Sequence, residues 1–309
     1  MEKCNDSSED SFILVGFSDR PKLEMVLFIV NFILYSMAVL GNSTIILVCI
    51  LDSRLHAPMY FFLANLSFLD LCFSTSCIPQ TLVNLWGPDK TISYAGCAVQ
   101  LFSFLSIGGI ECILLAVMAY DHYAAVCKPL HYLVIMHPQL CLELVAAAWG
   151  SGLVNAIVMS PLTMTLSRCG RCRVNHFLCE MPALIKMACV DARAVEMLVF
   201  AFAILIVLLP LGLILVSYSC IAAAVLRIKS AAGRGKAIQT YSSHLTVVSL
   251  FYGTIIYMYM QPGNSSSRDQ GKFLTLFYSL VTPMLNPLIY TLRNKEVKAA
   301  LKKVLGRQQ

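Results

Sequence analysis

The run Val195–Leu226, VEMLVFAFAILIVLLPLGLILVSYSCIAAAVL, decides the fold, because its 32 residues include a single charged side chain, Glu196. A helix crosses the hydrocarbon core of a bilayer in about 20 apolar residues, so this run reads as a membrane span. Working outward, six further stretches qualify: Leu23–Ile50, Pro58–Leu82, Cys97–Tyr120, Leu140–Leu162, Ile238–Met260 and Phe273–Leu292. The composition agrees. Of 309 residues 58% are apolar and 13% charged, with a mean hydropathy of +0.73, whereas a soluble domain carries about a quarter charged residues. The net charge of +6 is spread thinly over an apolar chain, which excludes a disordered, collagen-like or nucleic-acid-binding protein.

The expected fold is therefore an all-α membrane protein, a seven-transmembrane helix bundle in one domain. Residues 1–22 form an extracellular N-terminus, 23–292 the bundle and 293–309 a cytoplasmic tail. The tail alternates Arg293, Lys295, Lys298, Lys302, Lys303 and Arg307 with Val297, Ala300, Leu301, Val304 and Leu305. That pattern reads as a short amphipathic helix lying on the bilayer surface. Pro210, Pro283 and Pro287 fall inside spans and predict kinks, which neighbouring helices in a bundle accommodate.

The positive-inside rule hardly votes on orientation: an outside N-terminus gives 12 Lys and Arg inside against 11 outside. Two other signals favour that orientation. Asn5-Asp6-Ser7 is a glycosylation sequon in a polar segment, and the long loop after the fourth span is rich in cysteine, as an oxidising compartment allows. No cleavable signal is visible, since the first 22 residues are acidic and polar.

Cys97 opens the third span and Cys179 lies in the long loop, so a disulfide between them would pin that loop over the mouth of the bundle. Cys169 and Cys189 flank Cys179 and could close a second bridge, leaving Cys172 unpaired; spacing does not fix the connectivity. The rival reading is a zinc site from Cys169, Cys172, His176 and Cys179, disfavoured by its short spacing and by oxidation of the thiols.

Asp70 and Glu111 sit deep in apolar runs, where an ionisable group marks an ion pathway or a polar network. With Asn286 they could hold Na+, which takes oxygen ligands. The alternative is a hydrogen-bonded pair that fixes helix packing. Below Cys97, one face of the third span carries Phe104, Leu105, Gly108, Gly109 and Cys112. No charge is present there to pair with an amine ligand. Facing stretches offer Phe202, Ala203, Ile206 and Val207 in the fifth span, Tyr252, Ile255, Ile256 and Tyr259 in the sixth, and Leu276 and Ser279 in the seventh. Together they suggest a pocket for a small, neutral, apolar molecule.

The motifs along the chain resemble those of a vertebrate olfactory receptor, a rhodopsin-like G-protein-coupled receptor. Leu55-His56-Ala57-Pro58-Met59-Tyr60-Phe61-Phe62-Leu63 with Leu66-Ser67-Phe68-Leu69-Asp70 is similar to the family's LHTPMYFFL and LSxxD. Met118-Ala119-Tyr120-Asp121-His122-Tyr123, followed by Cys127-Lys128-Pro129-Leu130-His131-Tyr132, is similar to its MAYDRYVAIC and PLHY. Ser217-Tyr218, Lys236-Ala237, Ser243-His244-Leu245 and Pro283-Met284-Leu285-Asn286-Pro287-Leu288-Ile289-Tyr290 complete the set in family order. Gly41-Asn42 and the stretch His176–Leu184 suggest the tetrapod-type class, subfamily group two.

The resemblance implies recognition of a small volatile odorant within the helices and coupling to the heterotrimeric olfactory stimulatory G protein, with a rise in cyclic AMP. It implies the Cys97–Cys179 bridge and favours Cys169–Cys189. It also implies a multi-pass protein of the plasma membrane, in olfactory cilia, that is no enzyme and needs no cofactor, the Na+ that Asp70, Glu111 and Asn286 could hold being a structural or allosteric ion. Asp121, His122, Tyr123, Tyr218, His244, Asn286, Pro287 and Tyr290 fall where the family reads out activation.

Here the chain departs from the pattern it resembles. Arginine, a permanently charged fork, normally follows the Asp of the inner turn; this chain has His122, whose ordinary pKa is about 6.5. Gln239 and Tyr241 replace the usual Ser and Cys near the inner end of the sixth span. Weakened coupling is the expectation. An ion-coupled membrane transporter is the alternative function, carried by Asp70 and Glu111, though inverted repeats and paired broken helices are not evident.

Overall fold

The structure is a computed structural model that describes residues 11–227, 231–260 and 268–306. The sequon at Asn5 lies outside them, as do the side chains of Gln239 and Tyr259. Helices α1 (Pro21–Leu51), α2 (Pro58–Trp86), α3 (Tyr94–Cys127), α4 (Pro138–Met164) and α5 (Arg193–Leu226) run through the bundle. They are joined by α6 (Ala231–Met260) and α7, the latter built from Arg268–Leu276, a π-helical turn Phe277–Val281 and Thr282–Arg293. A final helix, α8 (Lys295–Gly306), follows. Among the described residues six helices are long and apolar enough to cross a membrane by length and composition, with α7 counted over Gly271–Thr291. The sixth predicted span coincides with α6.

Burial separates the helices by role. In its most apolar stretch α3 is 72% buried, while α1 and α5 are 11% buried. A helix apolar all round and enclosed is a central pillar, whereas one apolar all round and exposed faces lipid. Small residues allow the close approach in the middle. A Cβ on Gly152 of α4 would lie 2.4 Å from Ile110 Cγ1 and 2.6 Å from the Ser106 carbonyl oxygen of α3. Gly41 of α1 likewise faces the Pro287 ring of α7. Beside it, Asn42 Nδ2 donates to the Pro283 carbonyl at 2.9 Å.

Two of the span prolines follow widened turns. Pro210 follows a π-helical turn at Ile204–Leu208, and Pro283 follows the one at Phe277–Val281. A proline lacks an N–H and crowds the carbonyl four residues earlier. Widening the preceding turn relieves that crowding without ending the helix.

At the end of the bundle that carries Cys97, here termed outer, a three-stranded sheet covers the helices. Strand β1 (Ser11–Leu14) pairs antiparallel with β2 (Thr91–Ser93) and parallel with β3 (Arg173–Val174). The chain then turns at Gly16, whose φ of +52° favours glycine. Phe12, Leu14 and Val174 are buried beneath the sheet.

The long loop carries the Cys97–Cys179 and Cys169–Cys189 disulfides. Cys172 is disulfide-bonded too, which corrects the expectation that it is unpaired. It adjoins β3, and its carbonyl accepts from the Ile13 N–H of β1, so it belongs to the sheet and not to the gap between its neighbouring cysteines. With Cys169, Cys172 and Cys179 all in disulfides, the zinc reading is overturned.

At the opposite end α8 folds back on the loop between α1 and α2. Asn294 Oδ1 accepts from the Glu296 and Val297 amides and so caps α8. Tyr60 Oη donates to Glu296 Oε2 at 2.5 Å. Asp52 binds Arg54 Nη2 at 2.6 Å and lies 3.8 Å from Lys303 Nζ; hydrogen bonding from Arg54 holds its carboxyl below the usual range.

The contact at Gly152 generates a prediction. Gly152→Ala forces α3 and α4 apart, and overpacking of this kind costs about 1–3 kcal/mol. The melting temperature of the purified protein should fall, while Gly150→Ala, with open space at its Cβ, should leave it unchanged.

Candidate functional site

Below the outer cover, α3, α4, α5, α6 and α7 line a cavity of about 80 Å³. From α3 it is lined by Phe104, Leu105, Gly108, Gly109 and Cys112, the face read from helical spacing. From α5 it takes Phe202, Ala203, Ile206 and Val207, and from α6 Ile255. The remaining expected residues stand elsewhere. Tyr252 is buried and donates to the Cys112 carbonyl at 2.9 Å, fastening α6 to α3. Ile256 packs against the core, and Leu276 and Ser279 are buried without lining the cavity.

Five lining residues were not anticipated: Asn155 and Met159 of α4, Met181 of the long loop, Val199 of α5 and Tyr278 of α7. Asn155 Nδ2 donates to the Leu105 carbonyl at 3.1 Å, which leaves its side-chain oxygen as a polar feature in an apolar wall. Tyr278 stacks edge-on against Phe104 and Phe73. Its hydroxyl donates to Glu111 Oε2 at 3.3 Å, linking the cavity floor to the polar network beneath.

That network joins α2, α3 and α7. Asn286 Nδ2 donates to Asp70 Oδ2 at 2.9 Å, and Asp70 and Glu111 are both buried. Among the described residues Asp70 Oδ1 and Asn286 Oδ1 have no hydrogen-bond partner. Among the described residues no three His, Cys, Asp or Glu side chains converge as a metal site, so a cation here would rely on the amide oxygen as well as the carboxylates.

Toward the inner end, the Tyr218 hydroxyl lies 3.0 Å from His122 Nδ1 and 2.7 Å from His244 Nδ1. One hydroxyl can donate to the first ring and accept from the second, so α3, α5 and α6 meet at a single oxygen. Tyr241 packs edge-on against His122 with centroids 5.0 Å apart. Among the described residues Asp121 pairs with no arginine; its Oδ1 accepts from Tyr132 Oη of the following loop at 2.8 Å. Tyr123 stacks on Tyr120. Tyr290 is fully buried, in the same helix as Asn286 and Pro287.

The cavity's roof is the long loop. The Cys179 amide donates to Gln100 Oε1 at 2.8 Å, Thr275 Oγ1 to Glu180 Oε2 at 3.2 Å, and Lys272 Nζ to the Gly16 carbonyl at 2.6 Å. His176 is buried there, its Nδ1 accepting from the Leu178 amide at 3.2 Å and its Nε2 3.4 Å from Glu180 Oε1. Burial is the main force holding its pKa below the ordinary 6.5, against the pull of Glu180.

The sequence profile of a family described as "Olfactory receptor" matches residues 31–308. Human Olfactory receptor 2W1 is 62% identical over 305 residues, 99% of this chain and 95% of that protein. Human Olfactory receptor 2W3 is 64% identical over 305 residues, 99% of this chain and 97% of that protein. Human Olfactory receptor 2C3 is 60% identical over 302 residues, 98% and 94% respectively.

His176 makes the roof sensitive to acid. Its folded pKa is depressed, so the unfolded chain binds a proton that the folded loop refuses, and stability falls as pH drops through the ordinary 6.5. Melting of the purified protein should shift downward between about pH 7.5 and about pH 5.5, and His176→Gln should flatten that shift.

Proposed function

The chain belongs to the olfactory receptor family and is a multi-pass membrane receptor, not an enzyme, and from that premise we propose that it holds a small neutral volatile odorant in the cavity beside Gly108 and Gly109 and activates the olfactory stimulatory G protein. The observation that carries the ligand class is the lining: apolar and aromatic side chains with Asn155 and Tyr278 as the polar exceptions. Neutral odorants fit such a wall, and a charged amine would stand there unpaired. Cyclic AMP is the second messenger of this reading. The receptor acts in the plasma membrane of olfactory cilia with its N-terminus outside, and Asn5 carries a glycan.

Transmission runs from the cavity to the inner face through Tyr278 and Glu111 and then through the Tyr218 hydroxyl. A ligand acts by favouring one bundle arrangement over another, and the contacts of α6 with α3 and α5 at His244 are those an outward movement of α6 would break. His122 in place of arginine weakens the inner contact with the G protein. The support is geometric: His122 is buried against Tyr218 and Tyr241, while Asp121 is engaged by Tyr132.

A sodium ion between Asp70, Glu111 and Asn286 completes the proposal. Two buried carboxyl groups cannot both ionise without a cation between them. The unpartnered Asp70 Oδ1 and Asn286 Oδ1 are oxygen ligands of the kind Na+ takes. The transporter reading is set aside by family membership.

Two measurements test these statements. In cells expressing the olfactory G protein, a panel of neutral volatile compounds should raise cyclic AMP weakly with the parent chain. At equal surface level the His122→Arg variant should respond several-fold more strongly to the same compounds, and silence from both would sink the signalling claim. For the cation, replacing choline chloride by sodium chloride should raise the melting temperature of the purified receptor, in line with selective binding to the folded state. Asp70→Asn should abolish that rise; an equal rise in the variant would overturn the site.

A further inference from the structure

The cavity is smaller than its proposed task. At about 80 Å³ it falls short of the roughly 150 Å³ that admits benzene in an engineered protein core and of the several hundred Å³ typical of ligand pockets. Its outer side is covered by the long loop. Met181 is in its wall, and the loop around it is fixed by the Cys97–Cys179 bridge, by the bond from Thr275 to Glu180, and by the N-terminal segment, where the Gly16 amide donates to the His176 carbonyl and the Gly16 carbonyl accepts from Lys272. A molecule entering from the aqueous side would have to break buried hydrogen bonds that it cannot replace.

The flank of the bundle is different. Between α3, α4 and α5 lies a groove of about 960 Å³, walled by Val117, Gly150, Val154, Leu205 and Leu213. All five belong to spans, and Val154, Leu205 and Leu213 are exposed on the bundle surface, so the groove opens at membrane depth. Phe202 and Ile206 line both the groove and the inner cavity. These two side chains are therefore the partition between lipid and ligand site. Ile206 sits within the π-helical turn Ile204–Leu208, and Gly109 leaves room opposite it: a Cβ there would lie 3.3 Å from Ile206 Cγ2.

We infer that apolar molecules reach the cavity from the bilayer through this lateral groove, with Phe202 and Ile206 as the gate. The inference rests on the reading of the cavity as an odorant site and adds the route. An apolar volatile compound concentrates in hydrocarbon, since each buried methylene group gains about 0.8 kcal/mol on leaving water. Displacing two apolar side chains toward lipid breaks no hydrogen bond, in contrast to lifting the roof. Movement of Phe202 and Ile206 also merges the two volumes, which supplies the space that the closed cavity lacks.

Cys112 is a natural reporter of arrival, since it lines the cavity and carries a free, buried thiol. The test uses the full-length receptor in lipid nanodiscs and N-hexylmaleimide, an uncharged reagent that dissolves in lipid. The thiol adds across the maleimide double bond, sulfur to one carbon and the proton to the other, with no other reactant. Mass spectrometry follows modification of Cys112, with exposed Cys220 as the control within the same chain.

Gly150→Trp and, separately, Val154→Trp fill the groove from the lipid side, and Leu40→Trp places the same bulk on an exposed position of α1. Either plug should slow modification of Cys112 about tenfold, an added barrier of about 1.4 kcal/mol, and leave Cys220 and the Leu40→Trp receptor at the parent rate. Equal Cys112 rates in the parent and in both plugged variants, or a parent in which Cys112 never reacts, would overturn the route. The odorant reading fails separately if Cys112 reacts through the groove but no volatile compound in the panel protects it.

Discussion

The bond between Cys97 and Cys179 organises the outer half of the molecule. It fastens the middle of the long loop to the first turn of α3, the most enclosed helix, and every residue near Cys179 inherits a place from it. Three residues before, His176 is drawn under cover; one after, Glu180 comes within reach of Thr275 on α7; two after, Met181 enters the cavity wall. The sheet depends on the same anchor, because β3 can meet β1 only where the loop is held across the bundle. A loop of polar and apolar residues without that tether would lose more conformational entropy on ordering than its few hydrogen bonds return.

At the inner end the organising group is uncharged. In a chain with arginine after Asp121, a guanidinium would hold the neighbouring helices by charge. Here a phenol between two imidazoles joins α3, α5 and α6, and a second phenol, from Tyr132, holds Asp121. Hydrogen bonds between neutral groups are roughly half as strong as charge-assisted ones. They are also short-ranged, so the arrangement depends on packing by Tyr241 and on exclusion of water. The substitutions at His122 and Tyr241 thus belong together: the aromatic ring covers the imidazole.

Much of this was legible in the sequence, and the gaps have physical causes. The spans followed from hydropathy because lipid leaves backbone polar groups no alternative to the helix. The α3 face of the cavity followed from a regular helix of known phase. On α7 the same reasoning chose Leu276 and Ser279 and missed Tyr278, because the π-helical turn Phe277–Val281 alters the angle per residue at that point. Asn155 and Met159 were missed for another reason. α4 gave no periodic signal and its contribution depends on Gly152 bringing it against α3. The pairing of Cys172 was not legible, since spacing along the chain does not fix disulfide connectivity.

The π-helical turn at Ile204–Leu208 has an implication for how such receptors diversify. It places a surplus residue between the outer segment of α5, which supplies Val199, Phe202 and Ala203 to the cavity, and the inner segment, which carries Tyr218. A π-helical turn absorbs one residue more than an α-helical one, so loss of that residue would restore the regular repeat while the outer segment kept its face toward the cavity and Tyr218 kept its partners. A single-residue insertion or deletion, ordinarily ruinous in a buried helix, is thereby absorbed at this one point, and a lineage can reshape the wall at Ile206 without disturbing the output end.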